Sequence, residues 1–120
     1  MRPTLAAILL LAGSASCAKS GMGADVRADI TTQMQTASDP ISICYSDALG
    51  RSRKTRGMMV LEMSAAPTTG AFTDIIVRRD EPADPTLRQC VIAAVGKLRL
   101  AKPQSTRVTI SYPINFQPTK

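Results

Sequence analysis

From Val108 to Phe116 the chain alternates without interruption: Val108, Ile110, Tyr112, Ile114 and Phe116 are separated by Thr109, Ser111, Pro113 and Asn115. A period of two over that length predicts a strand with one face in a core and the other in water. Pro113 has no N–H to give to a ladder, so this strand is expected at a sheet edge. Two other stretches have helical period. Ile41, Cys44, Tyr45 and Ala48 fall at i, i+3, i+4 and i+7, and Leu87, Cys90, Val91, Ala94 and Leu98 extend the same spacing to i+11. They predict helices over residues 40–49, stopped by Gly50, and over residues 85–100. Each is preceded by an Asp-Pro start, Asp39-Pro40 and Asp84-Pro85, in which Asp accepts from free helix N–H groups and Pro fits the first turn. Val26, Ile30 and Met34 at i, i+4 and i+8 suggest an earlier helix over residues 25–37.

Residues 58–63 are dense in apolar side chains, which suits a central strand. Pro67-Thr68-Thr69-Gly70 has the chemistry of a hairpin turn, leading to a strand over residues 71–79. The resulting order is helix, helix, strand, strand, helix, strand. A right-handed crossover from the second strand to the third, passing over the first, places the first strand in the middle with antiparallel neighbours. The expected fold is therefore α+β: a small three-stranded antiparallel or mixed sheet packed by two to three helices.

Composition narrows what such a domain can do. Lys and Arg number 15 against 9 Asp and Glu, and there is no His and no Trp. His is the usual proton shuttle near neutral pH and a common transition-metal ligand, so its absence weighs against catalysis and against a metal site. No nucleophile elbow or Gly-rich phosphate loop appears. Glu62 and Asp74 are the acids on which a catalytic reading would rest, and a solvated position is the simpler expectation for Glu62. The scarcity of aromatic residues gives bases little to stack on, so nucleic acid is an unfavoured partner. The basic loop over residues 51–56 reads as a solvated charge run.

The amino terminus reads as an export signal: Arg2, an apolar run over residues 5–12, then small residues ahead of Cys17. That run is far shorter than the roughly 20 residues needed to span a bilayer. Ser14-Ala15-Ser16-Cys17 resembles a bacterial lipobox, although Ser14 stands where Leu is commonest. The expected division is a signal peptide over residues 1–16, a lipidated Cys17 and short tether over 17–28, and a folded domain over 29–120. Cleavage elsewhere among the small residues, giving a soluble periplasmic or secreted protein, is the alternative.

With Cys17 assigned to lipid, Cys44 and Cys90 remain as a pair in an oxidising compartment, each on the apolar face of its own helix. Closing that loop of about 46 residues is worth roughly 4 kcal/mol in the chain-entropy model. Two buried free thiols are the alternative. A redox-active pair is less expected without a CxxC spacing, and two Cys without His make an incomplete metal site.

These residues together carry a family resemblance. Ile41-x-x-Cys44-Tyr45-x-x-Ala48-Leu49, Gly57 opening an apolar strand, Gly70-x-Phe72 opening the next, Leu87-x-x-Cys90-Val91 and Val108-x-Ile110-x-Tyr112-Pro113-Ile114-x-Phe116 resemble the TonB C-terminal-like domain. The paired cysteines are similar to those of the AgmX/PglI variant known from gliding-motility proteins. The resemblance covers residues 29–118. It implies a recognition module that lacks the transmembrane helix and Pro-rich spacer of an energy transducer. A seven-residue tether reaches at most ~25 Å, which keeps a lipid-anchored domain near its own membrane.

The resemblance also implies recognition by β-augmentation, with an extended partner segment adding to the open sheet edge. On this chain the candidate partner-binding residues are Arg107, Thr109, Ser111 and Asn115 on the last strand, with Arg78 and Arg79 adding charge steering. The expected function is that of a non-enzymatic envelope lipoprotein that binds another envelope protein at the periplasmic face of a membrane, with the outer membrane favoured. It needs no cofactor, metal or small-molecule substrate, and its membrane contact is the lipid. A structural scaffold or accessory subunit of an envelope complex, without strand recognition, is the alternative.

Overall fold

The structure, a computed structural model, describes residues 23–118; the signal segment and Cys17 lie outside them. Its elements are α1 (Ala24–Thr36), α2 (Ser38–Arg51), β1 (Gly57–Ala65), β2 (Phe72–Asp80), α3 (Pro85–Val95) and β3 (Val108–Phe116). The sheet order is β2-β1-β3, with both pairings antiparallel. This is the α+β arrangement and strand order expected from the pattern. Helices cover one face of the sheet. Met59, Leu61 and Met63 of β1, Phe72 of β2 and Ile110 and Phe116 of β3 point into the core against Ile41, Cys44, Ala48, Leu87, Val91 and Val95.

Cys44 and Cys90 form a disulfide between α2 and α3, with 5.8 Å between their Cα atoms. The same two helices meet a second time. Asp84 caps α3 by accepting from the amides of Thr86 and Leu87, both at 3.0 Å, and its carboxylate also takes a bidentate contact from Arg51 at the end of α2. The Asp-Pro start of α3 thus works as expected.

The matching signal at Asp39 does not. Helix α1 runs into α2 with a break at Ala37 alone, so α2 starts at Ser38 and Asp39 lies inside its first turn without making a side-chain cap. Pro40 is tolerated there because first-turn amides have no intrahelical acceptor. Gly50 does not end α2 either; the helix continues to Arg51, where the contact with Asp84 holds the last turn. Helix α3, in contrast, is shorter than the apolar spacing predicts and stops at Val95. Leu98 and Leu100 turn out to be strand-like: the Leu98 carbonyl accepts from the Phe72 amide, and the Leu100 amide donates to the Gly70 carbonyl. Their i, i+2 spacing fits that role, but Leu98 also happens to continue the helical period.

Two glycines are required by close approach. Gly57 has φ 122°, and a Cβ there would sit 2.6 Å from the Cβ of Glu81. Glu81 needs that space because it pairs with Met58 twice, its amide donating to the Met58 carbonyl and its carboxylate accepting from the Met58 amide. Gly70, with φ 74°, closes the hairpin against Leu100, whose backbone would lie 3.2 Å from an added Cβ.

Replacing Cys44 and Cys90 together by Ser is expected to lower unfolding stability by about 4 kcal/mol, because the bridge spans a sequence separation of 46. Urea unfolding of the oxidised chain and the double variant checks this; equal midpoints would remove the disulfide from the account of stability.

Candidate partner-binding edge

β3 pairs with β1 over its whole length, from Gly57 opposite Phe116 to Ala65 opposite Val108, without a bulge. Among the described residues, no strand lies beside its other edge. Met58 and Ala66 of the central chain turn their backbone groups toward β2. Because hydrogen-bonded and non-hydrogen-bonded positions alternate in an antiparallel ladder, Met59, Leu61 and Met63 bond to β3, and Val60 faces Pro113 across a non-bonded position. The ring nitrogen of Pro113 therefore points to the open edge, and the proline costs the sheet no internal hydrogen bond. Outward-facing donors remain at Thr109, Ser111 and Asn115.

The opposite edge is much less accommodating. The bridge between Ala71 and Arg99 covers the start of β2. Register shifts then interrupt its pairing with β1 at two places, and Asp74 takes φ 55°. Bulges, charge and a covering loop are the ordinary devices that keep an edge from pairing.

The candidate residues divide accordingly. Thr109, Ser111 and Asn115 are exposed on the helix-free face of β3. Arg107 stands just before β3 and reaches across to Asp74 at 3.3 Å, both side chains exposed. Arg78 and Arg79 belong to β2, beyond the central strand from the β3 edge. Arg78 is paired with Glu62 at 2.8 Å on the open face, and Arg79 is paired with Glu81. The six residues do not share an edge, and each of the three arginines already has a carboxylate partner. The same pairings place Glu62 and Asp74, the acids considered for catalysis, in ion pairs at the surface.

The periodicity did not reveal a groove of about 520 Å³ beneath the β3 edge, on the helix side. Met34, Ile41, Tyr45 and Leu49 form one wall, and Tyr112, Ile114 and Phe116 form the other. Tyr45 anchors it: the hydroxyl donates to the Thr55 carbonyl at 2.6 Å, and its ring lies 4.9 Å from that of Phe116. Burial pushes the Tyr45 phenol above its ordinary value, against the opposing pull of the Arg56 charge. The signal was present, since Tyr112, Ile114 and Phe116 are the inward set of β3, but only packing shows that the helices leave part of them uncovered.

No protein-family model matches the chain, and no curated protein matches it. Among solved structures it is similar to the solution structure of the C-terminal domain of TonB from Helicobacter pylori, residues 179–285, at 15% identity and a TM-score of 0.46. The likeness spans 85% of this chain and 99% of that one.

Three carboxylates around this framework are held below their ordinary range. For Asp84 the largest cause is the Leu87 amide, with Arg51 adding to it against the effect of burial. For Glu81 it is the Met58 amide and then Arg79. For Asp29 of α1 burial is the largest influence and acts upward, but the amides of Lys102 and Ala101 together with Gln33 outweigh it. A lowered folded pKa contributes stability that is complete above the unfolded value and is lost as the pH falls through the folded one. Stability is thus expected to fall on acidification below about pH 4. Asp84→Ala is expected to cost about 1–2 kcal/mol at neutral pH through loss of the α3 cap. Asp84→Asn keeps a capping side chain but not the charge, so it should lose less stability than the native chain between pH 7 and pH 3. Urea midpoints at the two pH values test this; an unchanged acid loss in Asp84→Asn would contradict it.

Proposed function

We propose that this chain is a non-enzymatic binding protein of the bacterial envelope, which captures an extended segment of another envelope protein along β3. The observation that carries the reading is the asymmetry of the sheet: β2 is blocked by the 98–100 segment and by bulges, whereas β3 is regular, open and underlain by an apolar groove. A strand added at β3 would gain main-chain hydrogen bonds from Thr109, Ser111 and Asn115 and would lay alternate side chains over the groove. The resemblance of the sequence to the TonB C-terminal-like domain, including the cysteine-paired gliding-motility variant, agrees with such a role. Arg107 closes one end of the strand, while Arg78 and Arg79 contribute only to the general positive field of the sheet.

Export and anchoring belong to the same proposal. The signal over residues 1–16 and the lipobox-like sequence ending in Cys17 support lipidation and placement at the periplasmic face of a membrane, the outer membrane by preference. Among the described residues no helix is long and apolar enough to cross a membrane. A domain joined to its lipid through a short tether would search for partners only in a thin layer above that surface.

Thr109→Pro and Ser111→Pro test the edge directly, because each removes an outward-facing donor without touching the ladder to β1. Either is expected to weaken capture of crosslinked envelope partners by about tenfold or more, equivalent to roughly 1.4 kcal/mol, with an unchanged circular dichroism spectrum. Undiminished capture by the folded variants would refute strand addition and leave the scaffold role. For the anchor, the intact mass of natively produced protein is expected to correspond to a chain beginning at Cys17 with acyl groups attached. An unmodified amino terminus at another residue would rule that out.

A further inference from the structure

The disulfide is not sealed inside the core. Cys44 is buried, but Cys90 is only half-buried, and both line a second surface groove of about 460 Å³ on the helical side of the molecule. This groove is separate from the one beneath β3. Its walls include Pro40 and Ile43 of α2, Ala93 and Ala94 of α3, and Lys97 just beyond α3. Beside Cys90 the wall is built from the small side chains of Ala93 and Ala94. Lys97, exposed at the rim, supplies positive charge where an anionic thiolate would enter.

We propose that Cys90 is a thiol-exchange site, at which a small thiol opens the bridge while the chain stays folded. The incoming thiolate attacks Sγ of Cys90 and forms a mixed disulfide with it. The Cys44–Cys90 bond breaks, and its electron pair leaves on Sγ of Cys44, which then takes a proton from water. A second thiol of the same kind can displace Cys90 from the adduct, releasing the oxidised thiol as its own disulfide and leaving both cysteines reduced. Access sets the polarity: Cys90 is the less buried of the two residues, so its sulfur is the one an incoming thiolate reaches.

What the bond controls is the first half of α2. That helix is tied to α3 at two points, the disulfide at Cys44 and the Arg51 contact with Asp84 at its end. Opening the disulfide leaves the second tie as the one polar link between the two helices, beside the apolar packing of Ile41 and Ala48. Residues 38–45 are then free to loosen, while the turn before Arg51 remains pinned. Ile41 and Tyr45 lie in the freed half, so the redox state of the bridge sets one wall of the groove under β3.

The test uses the oxidised native chain and reduced glutathione as the probe. Samples are quenched by acid, unfolded, alkylated and mapped by mass spectrometry. The expected early species carries glutathione on Cys90 and the alkyl group on Cys44. Its rate of formation should double when the glutathione concentration doubles, and should not change in urea well below the unfolding transition. Hydrogen exchange on the reduced chain should show lost protection over residues 38–45, with β1 and β3 still protected. An adduct on Cys44, no reaction in the folded state, or a rate that tracks global unfolding in urea would each overturn the proposal. Loss of protection throughout the sheet on reduction would overturn the local release of α2.

Discussion

The double link between α2 and α3, the disulfide together with the Arg51–Asp84 contact, is the constraint that holds the helical layer on the sheet. In a domain of this size the helical layer has little apolar surface with which to hold itself on the sheet, and small domains commonly need such a link. Between the two ties, Ile41, Cys44 and Ala48 are held in the core, and Arg51 meets Asp84 at the end of the helix. That carboxylate then serves two helices together, as the cap of one and the ion-pair partner of the other. Removing it affects both ends of one connection, so its effects and those of disulfide loss are not expected to add independently.

Most of the framework was legible in the sequence because each strand and helix had a distinct period. The alternation of Val108–Phe116, the turn at 67–70 and the helix-spaced cysteines led to the correct sheet order and the correct bridge. The errors arose where a local signal had two readings. Asp39 has the chemistry of a cap, but α1 delivers the chain already nearly helical through Ala37, so a free helix start never occurs there. Leu98 completes a helical spacing and also an alternation with Leu100, and the accepting backbone at Gly70 and Phe72 decides in favour of the second. Gly50 can end a helix, yet a favourable contact one residue later outweighs its cost.

The candidate site was legible in a different measure. The strand that forms the open edge was identifiable from Pro113 alone, and its exposed residues from their parity. Arg78 and Arg79 enter the sequence reading only through charge steering, and the predicted strand order already puts β1 between them and β3. The Glu62 partner of Arg78 could not be read from spacing, because the two meet only through the register and bulges of β2, whereas Glu81 lies two residues beyond Arg79. The groove depends on how far α1 and α2 stop short of β3, a quantity that periodicity does not encode.

The covering of β2 by the 98–100 segment also fixes how the sheet can grow. A sheet open on both sides can propagate from copy to copy without limit, whereas this one is terminated on one side by its own chain and by bulges. Any pairing of two copies through β3 would use the same strand on each, related by a two-fold axis, and would consume the free edge of both. Such an association closes at two. The loop that follows α3 therefore acts as a chain terminator for the sheet, so that the other edge can stay open without making the protein a seed for fibres.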